Sequence, residues 1–505
     1  MTKIFLIEWP ENLAGIAREL QKRSCEILYW TGVGLHGSSN PLEKEFPQTI
    51  FQNSYDSLQG LDPSRVDSAS FEPLSRDVIR RFFECEAATL AMMDRIDYSD
   101  VPVRRRKRLY YKLLKYWFGV LKNHTPDAIV FSVTPHLVYD FVLYWVAKDL
   151  GICTLMFIPT RIPERLLLID DIEGGSLRLT RELEGTRNVR FEDLSKDLQD
   201  YYISQTTPKN SSRFPFYTHA DLYKGRIKVV YVPSLARVFA SIVRGDFLSR
   251  AREYSNRIFF TKSRLLSFDA QYTGLGYQMK LLEWEKAKRE FEKEYRSLVS
   301  PIDWNKKFIY APLQFQPERS TSPEGGIFAD QFLMIDILSH SVPSDWVVYV
   351  KEHLSQWTKG GTHAHQGRYR GYYKELAAFP NVRLIAPEIL SNELIAKCEV
   401  VSSVAGTGSW EGILNGKPSL MFGYPSYKDC SEVLKVSDVQ SCKAAIQKIA
   451  SGWKPDKQKV LNYLGAFDKA SIKGRIEQGV EKTSLASPEE NNKAIAEGIY
   501  GALRS

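Results

Sequence analysis

The 505-residue chain has few cysteines, and none are paired: Cys25, Cys85, Cys153, Cys398, Cys430 and Cys442 stand apart without a CxxC. That pattern excludes a disulfide framework and a thiolate zinc site, and it fits reduced thiols in a cytoplasmic setting. No run approaches the roughly 18 apolar residues of a membrane span. The opening MTKIFLIEWPENLAG has a short apolar run interrupted by Glu8, so a signal peptide is not expected. A cytoplasmic protein is expected, peripheral at most at the inner face of the cell membrane. An Asp-x-Asp triplet, a P-loop and a GxGxxG after the first strand are all missing. Their absence removes the usual divalent-metal motif of sugar-nucleotide chemistry and counts against an NTPase or a dehydrogenase. Neither a metal site nor a resident cofactor is expected.

The composition is that of a folded protein, 43% hydrophobic and 12% aromatic, and 505 residues make two domains the natural expectation. The net charge of +8 is unevenly spread. Ten Lys/Arg face two acids between Lys224 and Arg264, and Arg104–Arg108 leads into LYYKLLKYWFGVL. Basic residues interleaved with aromatics suit an anionic membrane surface, or a solvated helix face over a buried aromatic stripe. No nucleic-acid motif accompanies the charge, so nucleic acid is not an expected partner.

Alternating strand and helix signals predict an α/β protein. Lys3–Glu8, Asn12–Lys22 and Cys25–Thr31 read as a βαβ opening. Residues 37–100 read as a polar insertion with a helix near Ser75–Arg95, and residues 175–225 as loop-rich. Strands are expected at Pro126–Val133 and Cys153–Ile158, with a helix over Val138–Leu150 between them. Leu275–Leu298 reads as a long helix laced by Glu285–Arg289 and Glu292–Arg296 pairs. A second α/β unit follows, with strands at Phe308–Pro312, Trp346–Lys351, Val382–Ile385, Val400–Ser402 and Ser419–Phe422. The expected architecture is GT-B-like: two Rossmann-like lobes with parallel sheets facing across a cleft. Residues 1–273 form the first lobe, 274–300 a connector helix and 301–483 the second lobe. A last helix in 484–505 packs back on the first.

The most informative segment is CEVVSSVAGTGSWEGILNGKPSLMFGYPSY, Cys398–Tyr427. It reads strand, small-residue turn, helix, Gly stop, strand. Small residues let backbone approach a ligand closely, and amides at a helix start favour phosphate. Glu411, in the first helical turn, is placed to accept from ribose hydroxyls. Other polar groups follow predicted strands: Gln314–Thr321, Lys351-Glu352-His353, Thr134-Pro135-His136, and Asp170-Asp171 behind Thr160–Arg165. Lys351 and His353, two apart on an extended segment, are expected to point the same way, as a diphosphate pair would. The candidate donor-binding set is Gln316, Lys351, His353, Ser402, Ser403, Gly406, Thr407, Ser409 and Glu411. The candidate catalytic set is His136, Glu318, Asp171 and His353.

YAPLQFQPE (Tyr310–Glu318), VYVKEH (Val348–His353) and SSVAGTGSWEGILNGKPSLMFG (Ser402–Gly423) resemble the capsule polysaccharide synthesis glycosyltransferases, a GT-B family that includes the Kdo transferases. The resemblance is strongest over Phe308–Tyr427. It implies that the second lobe holds the nucleotide, with His353 on the donor phosphate, Ser402, Ser403 and Thr407 lining the phosphate loop, and Glu411 on the ribose. Bacterial GT-B sialyltransferases show a similar His-Pro and Ser-Ser arrangement with CMP donors. Here, however, Leu354 follows His353, and Asp170–Gly174 matches their acidic-acidic-Gly motif only loosely. The implied activity is metal-free transfer from a nucleotide sugar, CMP-linked among the options, to a growing surface or capsular polysaccharide or a lipid-linked acceptor. The same fold would also serve a sugar-nucleotide 2-epimerase or a CDP-glycerol glycerophosphotransferase. A non-enzymatic scaffold of polysaccharide assembly at the membrane surface is the remaining alternative.

Overall fold

The computed structural model describes residues 1–33, 35, 41–95, 101–160, 162–207, 242–246, 248–249, 274–358, 366–476 and 487–504. Of the basic stretch 224–264, only 242–246 and 248–249 therefore fall within the description. Strands β1 (Thr2–Ile7), β2 (Cys25–Gly32), β3 (Ile50–Asn53), β4 (Ala128–Phe131), β5 (Cys153–Pro159) and β6 (Arg165–Ile169) build one sheet. A second consists of β7 (Phe308–Pro312), β8 (Val347–Lys351), β9 (Val382–Leu384), β10 (Val400–Ser403), β11 (Ser419–Met421) and β12 (Leu434–Lys435). β13 (Ile472–Lys473) then returns to the first.

The strand orders are β13-β6-β5-β4-β1-β2-β3 and β12-β11-β10-β7-β8-β9. Every pairing in the second sheet is parallel, and in the first only β5–β6 and β6–β13 run antiparallel. Each sheet thus repeats the doubly wound pattern, as the two-lobed GT-B-like expectation requires. The chain order reverses between β1 and β4 in one sheet and between β7 and β10 in the other. Ligands of open α/β sheets bind outside the carboxyl ends of the strands at such switch points.

The strands are apolar runs because helices cover both faces. Along β1, Ile4 and Leu6 enter one core with Ile27, Val130 and Leu155, while Phe5 and Ile7 enter the other with Tyr29, Ile129 and Phe131. The second core continues across the lobes. Trp410, Ile413 and Leu414 of the helix Thr407–Leu414 join it, as do Tyr463 and Phe467 of the helix Lys457–Ala470. Polar contacts reinforce the seam: Trp410 Nε1 donates to Tyr201 Oη (3.1 Å), and Lys428 Nζ donates to the Gly174 carbonyl (3.0 Å).

Several elements depart from expectation. Residues 175–225 are not all loop: helices Leu177–Gly185 and Lys196–Thr206 occur there, the first capped by the Ser176 side chain accepting from Leu179 N. β3 lies inside the expected insertion and adds an edge strand. The long helix Gly274–Ser297 carries the Glu292–Arg296 pair (3.0 Å), but Glu285 pairs with Lys288 (2.5 Å) instead of Arg289. Its fully buried Tyr295 donates to the Ile385 carbonyl (2.6 Å), so its last turns pack on the second lobe. The return to the first lobe precedes residue 484: β13 pairs with β6, and Lys457–Ala470 packs on Leu177–Gly185. Pro488–Ala502 then lies on Ala14–Lys22.

Candidate active site

The second-lobe switch point is closed by Gln314, just beyond β7. Its Oε1 accepts from Ala405 N (2.9 Å), which ties the end of β7 to the turn after β10. A side chain at Gly406 would sit 3.2 Å from Gln314 Nε2, so the turn approaches as closely as glycine allows. Gly406 caps the helix Thr407–Leu414 and, lacking a side chain, gives the first-turn amides no side-chain cap. Gly406, Thr407 and Gly408 remain partly open. Partly open amides at a helix start favour an anion, which is the chemistry expected of the small-residue motif.

The serines of that motif do other work. Ser403 Oγ bonds Ser409 Oγ (2.7 Å), and Ser409 Oγ donates to the Leu420 carbonyl (2.7 Å). Both are fully buried and hold the turn against β11. Ser402 is also buried, on the opposite face of its strand, and its hydroxyl finds no hydrogen-bond partner among the described residues. The serine hydroxyls expected at a phosphate therefore lie inward: Ser403 and Ser409 hold the turn, and Ser402 is buried on the other face of the strand.

Lys351 and His353 do not point together, because β8 ends at Lys351 and the chain turns there. Lys351 is buried, donating to the Ile389 carbonyl (2.8 Å) and Ser391 Oγ (2.7 Å). Burial pulls its ammonium down to about 8, against the support of the Glu411 and Glu388 carboxylates. Tyr310 lies beneath, its ring centroid 5.6 Å from Lys351 Nζ and its hydroxyl 3.0 Å from Ser391 Oγ. Glu411 also acts on Tyr310, so Lys351, Tyr310, Ser391 and Glu411 form one polar cluster beside the helix start. His353 is exposed; its Nδ1 accepts from Ser355 N (3.2 Å), which places the proton of a neutral ring on Nε2.

Between His353 and the switch point lies a buried network that the sequence did not reveal. Arg368 and Glu352 pair at 2.7 Å with both side chains fully buried, and Tyr373 Oη donates to the same carboxylate (2.6 Å). Arg368 also donates to Gln316 Oε1 (2.5 Å), while the Gln316 main chain exchanges bonds with the Gln356 side chain (3.0 and 2.9 Å). Gln316 is therefore committed to the scaffold that joins the loops after β7 and β8. Arg368 lies far from any recognised motif, and only its basic charge among aromatics, RYRGYY, hinted at a buried partner.

The first-lobe switch point carries His136, as expected, after β4. Its Nδ1 donates to the Thr134 carbonyl (2.9 Å), and its main-chain amide is held by Asp140 Oδ2 (2.9 Å). Burial, then the positive charges of Arg95 and Arg319, hold the ring well below the ordinary histidine value. Arg95 donates to the His136 carbonyl (3.0 Å) and lies 3.5 Å from the Ser322 carbonyl of the other lobe. Burial draws its guanidinium down to about 10, opposed by Glu318 among others. The loop Glu318–Glu324 thus meets the His136 turn across the cleft. Glu318 itself is exposed, accepting from Ser320 Oγ (3.0 Å).

Asp171 stands elsewhere. It accepts from Tyr144 Oη (2.7 Å), Glu173 N (2.9 Å) and Gly174 N (2.5 Å), and it pairs with Lys148. Burial raises its pKa, but the Gly174 amide, Lys148 and Tyr144 outweigh that and leave it below the usual aspartate value. A saturated, acidified carboxylate is a poor base. Glu8, at the end of β1, has the opposite character. Its backbone is left-handed (φ 59°), its amide donates to Thr31 Oγ1 (2.9 Å), and its carboxylate accepts from Tyr139 Oη. Burial pushes its pKa up against the Tyr139 and Ser54 hydrogen bonds. The neighbouring Asp140 is raised to about 7 by burial and then by Glu8. A raised carboxylate in a strained position at a switch point marks a candidate base. The sequence signal was a lone acid ending the first apolar strand.

No family model and no curated protein matches the chain. Solved structures similar to it include KpsC, a beta Kdo 2,7 transferase of Thermosulfurimonas dismutans, at 12% identity and a TM-score of 0.29, over 76% of this chain and 88% of that one. The UDP-GlcNAc 2-epimerase of Methanocaldococcus jannaschii is similar at 13% identity and a TM-score of 0.23, over 92% and 97%. A glycosyltransferase of Rickettsia africae follows at 9% and 0.25, over 100% and 99%. Scores this low carry no weight for function, so the reading below rests on the sheet order and the side chains around it.

Proposed function

We propose that the chain is a glycosyltransferase that moves a sugar from a nucleotide-sugar donor, CMP-linked foremost, to a growing surface polysaccharide or a lipid-linked glycan, without a metal. The observation that carries this reading is the complementary content of two facing switch points. One offers an uncapped helix start beside the Lys351–Tyr310–Ser391–Glu411 cluster. The other offers Glu8 and His136, with Arg95 and Arg319 between the lobes.

In this reading the nucleoside lies against Lys351 and Glu411, and the phosphate meets the amides of Thr407 and Gly408. The bond from the sugar's anomeric carbon to phosphate oxygen breaks as the acceptor oxygen bonds that carbon. Arg95, Arg319 and the His353 ring offset the charge left on the phosphate. Glu8 takes the acceptor proton, replacing Asp171 in that role. His136, kept neutral, offers a lone pair to an acceptor or donor hydroxyl.

The test is a thermal-shift panel of CMP, CDP, UMP, UDP, GDP and ADP on the wild type and Glu411→Ala. A ligand at 100 times its dissociation constant stabilises by about 2.7 kcal/mol, which such a scan resolves. A cytidine-selective shift lost in the variant supports the Kdo-like or sialyl-like reading, and assay with CDP-glycerol separates the glycerophosphotransferase. A UDP-selective shift with turnover of the free UDP-sugar and no acceptor identifies an epimerase. No shift with any nucleotide overturns the enzyme reading in favour of the scaffold.

A further inference from the structure

The helix Val103–His124 treats its cations in two ways. Arg106 pairs with Asp94 (2.6 Å) and Lys107 with Glu86 (2.6 Å). Arg105, Arg108, Lys112 and Lys115 line one wall of a surface groove of about 750 Å³. Their spacing of three, four and three residues places them in a single stripe, about 15 Å long. Among the described residues Arg108, Lys112 and Lys115 have no carboxylate within ion-pair distance. The facing segment does not neutralise them: the carboxylates of Asp62 and Asp67 accept from backbone amides of their own turns, at 2.9 Å from Ser68 N and 3.0 Å from Ala69 N. Glu72 reaches, among the described residues, only Lys122 (3.6 Å), two turns further along the helix.

Between the stripe and that segment the groove is apolar, lined by Leu61, Leu74, Ile79 and Leu109. Leu61 is 45% exposed, a large aliphatic side chain left at the rim. Cations alone would suit any polyanion. A cationic wall beside an apolar floor suits a molecule that is anionic at one end and hydrocarbon at the other.

We infer that this groove seats the protein on an anionic phospholipid surface, the headgroup phosphates lying along Arg108, Lys112 and Lys115 and hydrocarbon resting on Leu61, Leu74 and Ile79. Each cation near an anionic surface adds a roughly additive attraction, and the buried hydrocarbon adds to it. The inference extends the proposed transferase to a membrane-borne acceptor, but it does not depend on nucleotide binding or turnover and is read without either.

The experiment is co-sedimentation of the full chain with phosphatidylglycerol vesicles and with phosphatidylcholine vesicles, at low and at physiological salt. Binding to the anionic vesicles that weakens with salt is expected, with at least a tenfold loss in R108E/K112E/K115E and a smaller loss in Leu61→Ser. R108Q/K112Q/K115Q, with an unchanged melting temperature, covers the case in which charge reversal disturbs the fold. Millimolar glycerol phosphate should not displace the protein. Equal binding of the glutamine variant and the wild type would overturn the inference. So would equal binding to both kinds of vesicle, no sedimentation with either, or full displacement by glycerol phosphate, the last showing a soluble-phosphate site.

Discussion

Replacing Arg368 by leucine should damage stability and the cleft together. Its guanidinium and the Glu352 carboxylate are both 0% exposed at 2.7 Å. Burial alone would lower the arginine's pKa, and Glu352, with Tyr372 and Tyr373, more than offsets this. Removal leaves Glu352 as a buried charge supported, among the described residues, by Tyr373 Oη and His353 N. Breaking such a pair costs about 3–5 kcal/mol. At roughly 2–4 °C per kcal/mol for lobes of this size, the melting temperature should fall by about 6–20 °C. The double variant Glu352→Gln/Arg368→Leu removes both charges and should recover much of that loss, since a pair replaced by neutral groups is often near-neutral. Arg368 also fixes Gln316, so the single variant should loosen the loops after β7 and β8 and weaken nucleotide binding. Differential scanning calorimetry of the wild type, both single variants and the double variant completes the cycle. A loss below about 1 kcal/mol for Arg368→Leu, the level of an exposed pair, would refute the buried-pair argument.

Glu8→Gln should lower turnover by about 10²–10⁴-fold, as expected for loss of a general base, with no loss of melting temperature, because it removes a poorly solvated charge. In the wild type the acid limb of the rate profile should lie above the usual glutamate value, since burial raises Glu8 and the base acts only when deprotonated. Nucleotide affinity should fall as pH rises through about 8, where the Lys351 ammonium loses its proton, and titration calorimetry across pH 6.5–9 measures this. In Glu411→Ala that fall should begin at lower pH, because Glu411 supports the cation; an unchanged profile would separate the two residues. Gly412→Ala should cost about 1–3 kcal/mol by overpacking, since its new methyl would lie 2.5 Å from Ser419 Oγ and 3.0 Å from Val401 Cγ2. Ser402→Ala should leave both stability and the nucleotide shift intact, and a lost shift would restore Ser402 to the phosphate site.

The sequence alone determined the strands and helices that bury themselves by periodicity. β7 lies where the run Phe308–Pro312 predicts it, while the helix expected over Trp410–Leu414 begins three residues earlier, at Thr407 inside the small-residue turn. β6 and β13 escaped because short strands gain their identity from the partner they pair with. At the site, the sequence singled out Gly406 and Thr407 for a local reason, small residues in a turn before a helix, whereas Glu411 lies past the first helical turn expected to hold it. Burial decided the rest. Ser402, Ser403 and Ser409 look alike in sequence, yet the fold bonds Ser403 and Ser409 together beside β11 and buries Ser402 on the other face of its strand. Asp171 and Glu8 are both lone acids near strand ends, yet one is saturated by amides and Lys148 while the other is desolvated beside Tyr139. Arg95 and Arg319 meet His136 only when the lobes close on a shared core. Periodicity is a property of the chain, whereas desolvation and long-range charge are properties of what the fold places around a group, and those decided which residues can act.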